Sequence, residues 1–93
     1  MNERQQELRD IQSVMKFRDG RRFMWRVLEK AGIYDSSFSV DPAILAFKEV
    51  QRNIGLMLIS DIMKATPDKY QVMAKEAQER VELKETQDDD RND

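Results

Sequence analysis

Cysteine and histidine are both missing from the 93 residues. Their absence removes disulfide scaffolds, thiolate nucleophiles, Cys/His zinc sites, and histidine as general base or pH switch. Three glycines and two prolines leave few places to break a helix. No apolar run approaches the ~20 residues of a membrane span; the longest uncharged stretch runs only from Asn53 to Ser60. The opening MNERQQELRD interleaves polar and charged residues where a secretory signal needs roughly 7 to 15 apolar ones, so a start in a host cytoplasm is expected. Carboxylate, lysine, serine and tyrosine remain for chemistry, and no pair of carboxylates is marked as acid and base. The expectation is no enzyme, no cofactor and no metal.

What is present is a balance of apolar residues (40%) and charged ones (37%), which fits a single solvated helical domain with a small core. Net charge is −2, unevenly placed. Residues 1–30 carry eight Lys/Arg against five Asp/Glu, and residues 31–93 carry eight against thirteen. Leu8, Ile11, Val14 and Met15 form a narrow stripe on a helix over 2–16 that needs a partner to be stable. Asp19-Gly20 reads as a break and cap before a helix over 20–31, with Phe23, Val27, Leu28 and Ala31 inward and Gly32 as a left-handed stop. Residues 33–41 read as a packed loop. Asp41-Pro42 and Thr66-Pro67 each place a cap before a residue suited to a first turn, giving helices over 42–65 and 67–84. The expected fold is all-α, a small bundle or hairpin stack of three to four helices in one domain, 1–85. The acidic tail, 86–93, is expected to be disordered.

Arg18, Arg21, Arg22 and Arg26 fall on one helical strip, with Lys30 a turn further and Trp25 beside it. Arginine suits phosphate and carboxylate because its planar fork donates parallel charged hydrogen bonds. The plainer reading pairs these arginines with Asp19, Glu49 or Asp61 while Phe23 and Trp25 pack inward. Phe23, Met24, Trp25, Val27 and Leu28 cannot all point one way, so some apolar surface is left for a partner. The six methionines read mostly as core. Gly55, inside a helix, costs roughly 1 kcal/mol relative to alanine and calls for close approach of another group, with Trp25 or Phe38 as candidates. Asp88-Asp89-Asp90 lacks the spacing of a cation loop and reads as solvated tail.

The run from Asp19 to Ala77 resembles a family of short proteins encoded by tailed bacteriophages, first noted in a Bordetella phage. Gly20-Arg21-Arg22-Phe23, Trp25-Arg26, Ala31-Gly32, Ser37-Phe38, Phe47 and Arg52-Asn53-Ile54-Gly55-Leu56 carry the resemblance. It implies a place in virion structural gene modules near head and portal genes, and no catalytic activity. The resulting expectation is a non-enzymatic structural or virion-associated protein of head, portal or tail assembly or ejection, located in the virion. It would work by contact with other phage proteins through Arg21, Arg22, Trp25 and Arg26 with Arg52 opposite, with self-association as a further mode. Arginine and tryptophan are frequent interface anchors. The alternatives are a nucleic-acid-associated factor using the same arginines and an inhibitor of a host protein.

Overall fold

A computed structural model describes residues 1–35 and 41–91, with side chains as far as 87. Four helices follow in order: α1 (Glu3–Lys16), α2 (Arg18–Lys30), α3 (Pro42–Ala65) and α4 (Pro67–Arg91). No strand occurs among the described residues. Each of α1 and α4 packs on both α2 and α3, with smaller α1/α4 and α2/α3 contacts closing the bundle.

Local signals explain most of the boundaries. Asn2 accepts a hydrogen bond from the Gln5 amide at 2.8 Å and its own amide donates to Gln5 Oε1 at 3.0 Å, a reciprocal capping box. Asn2→Ala is expected to cost about 1 kcal/mol, read as an earlier urea midpoint with an unchanged slope. Asp41 accepts from the Ala43 amide at 2.9 Å, and Pro42 supplies the preset first-turn φ. Gly32, at φ 77°, takes the left-handed stop that a side chain would resist.

Two boundaries differ from expectation. The break between the first two helices falls at Phe17, a single extended residue with no capping side chain, and not at Asp19-Gly20, which lies inside the first turn of α2. Gly20 is there for space: a Cβ would overlap the carbonyl of Val14, whose carbon lies at 2.8 Å, so glycine lets the start of α2 press onto the end of α1. At the other end α4 runs to Arg91, beyond the expected 84, because no glycine or proline follows Pro67 to stop it. The Ser37 and Phe38 readings, and those on the side chains of Asp88, Asp89 and Asp90, lie outside the described residues.

The core is small: Met15, Met24, Leu28, Ile62 and Met73, with Ile11, Trp25, Ile33, Leu58, Ile59 and Tyr70 packed around them. Within α2, Met24 is buried and Phe23 stays largely exposed, reversing the expected orientation. Both cannot face one way, and the flexible thioether packs into the core cluster. Met15, Met24 and Met73 are core, whereas Met1, Met57 and Met63 are exposed. Gly55 is buried as expected, but the groups against it are Ile33 and Ala31, not Trp25. The molecule is flat, 58 × 39 × 15 Å, with a radius of gyration of 16.2 Å, against about 12 Å for a compact chain of this length.

Candidate functional site

Two ion-paired joints hold the helices in place. On one side, Arg4 bonds Asp61 at 2.5 Å while Gln12 Nε2 donates to the carbonyl of Ala65 at 2.7 Å, fastening α1 along the last turns of α3. The hydrogen bond from Arg4 holds the Asp61 carboxyl below the usual range. On the other side sits Glu76, buried between α2 and α4. Arg21 Nε donates to Glu76 Oε1 at 2.6 Å, and Arg18 Nε lies 2.7 Å from Oε2. Arg21 also donates through Nη1 to the carbonyls of Met15 and Lys16, both at 2.9 Å. Those carbonyls belong to the open C-terminal end of α1. One guanidinium therefore closes α1, α2 and α4 onto each other. The Arg21 hydrogen bond first, then its charge and that of Arg18, hold the Glu76 carboxyl below its ordinary value.

A third joint is aromatic. Trp25 stacks on Tyr34 with ring centres 4.4 Å apart and planes at 19°, and the Tyr34 hydroxyl meets that of Tyr70 at 3.1 Å. Burial, then the Tyr70 hydroxyl, pushes the Tyr34 phenol upward, so it stays protonated. One face of the Trp25 ring is thus used to anchor the turn after α2.

These joints sort the expected contact residues. Arg21 is withdrawn from the surface, its side chain only 11% exposed, because it serves the clasp. Arg52 is not opposite the strip in a shared site. It lines a separate cleft of about 200 Å³ with Lys30, Gly32, Asp35, Lys48 and Glu49, where the N-terminal half of α3 passes the turn after α2. The pairings with Glu49 and Asp61 do not form for these arginines: Asp61 is held by Arg4 and Arg21 is held by Glu76, while Arg22 bonds Asp19 at 2.9 Å.

Arg22, Trp25 and Arg26 do come together, in a shallow groove between α2 and α4 of about 260 Å³. Trp25, Ala77 and Val81 are its apolar lining and Arg22, Arg26, Arg80 and Lys84 its cationic lining, with Glu29 the acid among them. Past Arg22 and Arg80 the groove continues toward Leu83 and Glu79. The Arg52 cleft is smaller than the roughly 300–1,000 Å³ of small-molecule sites, and the α2/α4 groove is long and open. They suit a side chain or a helix edge laid across them. Arg80 and Lys84 were not singled out by sequence, although they lie one turn apart beside the Ala77 and Val81 stripe. Glu76 carried a clearer signal: a carboxylate between Met73 and Ala77 on the inward side of α4 requires a buried cation.

Four helices clasped by an arginine–glutamate joint, with a cationic groove on one face, define a small all-α bundle. Residues 11–75 match the family model of the Bbp19-like phage proteins, and the chain belongs to that family. No curated protein and no solved structure gives a match. No helix among the described residues is long and apolar enough to cross a membrane.

Proposed function

We propose that the protein is a non-enzymatic structural or virion-associated component of the phage that docks other phage proteins of the head, portal or tail through the groove between α2 and α4. The observation that carries this reading is an apolar lining of Trp25, Ala77 and Val81 together with four cations. Such a surface fits an acidic amphipathic helix: apolar side chains meet the apolar lining, and carboxylates meet the arginine forks. The absence of cysteine and histidine from the sequence is in keeping with a role by contact.

The test is cross-linking mass spectrometry on purified virions and assembly intermediates, with the wild-type chain beside an Arg26→Glu, Arg80→Glu double variant. The wild type is expected in particles, with cross-links from Lys84 to an acidic segment of a phage protein, and the variant is expected to be depleted. A protein made during infection yet absent from particles and intermediates overturns the reading.

The same four cations favour a second reading, contact with nucleic acid. It is opposed by the net charge of −2. Salt separates the two. DNA affinity that falls steeply with ionic strength and is lost in the double variant supports the second reading; no binding at low salt removes it.

A further inference from the structure

The last turns of α3 are held by α1 through Arg4–Asp61 and Gln12–Ala65, but before them, over 47–57, α3 carries an apolar strip that the described residues leave exposed. Phe47, Val50, Ile54 and Met57 are 64%, 60%, 56% and 68% exposed. Their spacing of three, four and three, preceded by Ala43, is the a/d pattern of a two-helix seam and not the wider stripe of a helix on a core. Together they extend about 15 Å along the helix, and the pattern ends at Asp61, already taken by Arg4.

The positions flanking this seam decide what fits it. In a coiled coil the e and g positions face the partner's flanks and set its identity by charge. Here they are Ile44, Gln51 and Leu58 on one side and Ala46, Asn53 and Ser60 on the other, all uncharged. The charges of this segment, Lys48, Glu49 and Arg52, fall on the remaining positions, away from the seam. A partner with charged flanks would desolvate them without return, whereas an identical strip meets neither repulsion nor an unpaired charge. Shape points the same way. A slab 15 Å thick with four fully buried large side chains among the described residues buries little on its own, and small helical chains commonly gain the missing burial from a second copy.

We infer that the protein pairs with a second copy of itself through the α3 strip Phe47, Val50, Ile54 and Met57. This surface is distinct from the α2/α4 groove, so both can be occupied at once. About three turns of helix pairing fall short of the ~800 Å² per partner of a standard stable interface, so the dimer dissociates on dilution.

Sedimentation equilibrium over a concentration series tests this. The wild type is expected to shift from monomer to dimer as concentration rises, and Ile54→Glu to stay monomeric with unchanged helical circular dichroism. Because the natural chain has no cysteine, a single introduced thiol reports contact directly. Under mild oxidation Val50→Cys is expected to form a disulfide-linked dimer with itself if the helices run parallel and with the Ile54→Cys variant if they run antiparallel, and Arg52→Cys, on the opposite side of α3, with neither. A wild type monomeric throughout the series, or equal cross-linking at positions 50 and 52, overturns the inference.

Discussion

Arg21→Ala is expected to lower the free energy of unfolding by about 3 kcal/mol, near the low end of what breaking one partner of a buried ion pair costs. The effect has three sources in one side chain. Glu76, itself 7% exposed, would lose its chief counter-charge while remaining between α2 and α4. The carbonyls of Met15 and Lys16 would lose the donor that closes the end of α1. The Arg21 stem, which fills the corner between α1 and α2, would leave a gap. Arg18 cannot replace it. Although its Nε lies 2.7 Å from Glu76, its side chain is 71% exposed, and an exposed pair is worth ~1 kcal/mol at most. Urea unfolding checks the ordering: Arg21→Ala well below wild type, Arg21→Lys only partly restored because an ammonium cannot span both the carboxylate and the carbonyls, and Arg18→Ala close to wild type. Equal midpoints for Arg18→Ala and Arg21→Ala would show that the joint does not depend on the fork.

Acid should expose the same joint. Glu76 has a lowered folded-state pKa, with the Arg21 hydrogen bond as first cause. A depressed carboxylate contributes stability that is complete above the ordinary glutamate value, about 4.3, and that disappears as pH falls through the folded-state value. Asp61, lowered by its hydrogen bond from Arg4, acts in the same direction. The protein should therefore lose stability below about pH 4, and Glu76→Gln should flatten that acid limb while lowering the plateau. With no histidine in the chain, no side chain with an ordinary pKa near neutrality adds to the profile.

How much of this was legible in the residues depends on whether a signal is local. Asp41-Pro42, Thr66-Pro67 and Gly32 act through their own backbone, and the helix ends they mark fall where a cap, a proline φ or a left-handed residue dictates. The family resemblance was legible for the same reason, since it rests on short runs such as Gly20 to Phe23. The clasp was not. Arg21 and Arg22 are neighbours with the same chemistry, and only the path of α4, 55 residues away, makes one a buried joint and the other a groove residue. Arg52 failed as a companion to the strip because α3 passes the turn after α2 and not the groove. The broad apolar character of α3 was legible, but not which turns α1 holds and that 47–57 keeps an exposed strip.

Gly20→Ala sets two principles against each other, and the second should win by about 3 kcal/mol. Helix propensity favours alanine over glycine by about 1 kcal/mol within a helix, and Gly20 lies in the first turns of α2. The added methyl, however, would run into the backbone carbonyl of Val14, with its carbon at 2.8 Å, and a backbone carbonyl in a helix has no rotamer to escape into. Relief requires α1 and α2 to separate at Phe17. That movement would stretch the Arg21 bonds to Met15 and Lys16 and lift Met15 from the core, so the damage spreads beyond one contact. Gly55→Ala is the control. Its new Cβ would meet Ile33 Cγ1 at 2.6 Å, Cδ1 at 2.7 Å and Ala31 Cβ at 2.9 Å. The Ile33 side chain can turn away in part, but the Ala31 Cβ cannot, so the turn after α2 must also shift, a cost that the propensity gain partly offsets. The expected loss there is ~1 kcal/mol. Thermal melts of the two variants should place Gly20→Ala clearly below Gly55→Ala. The reverse order would mean that the corner at Phe17 yields more easily than the Ile33 side chain, and that the tightness of that corner does not hold α1 in place.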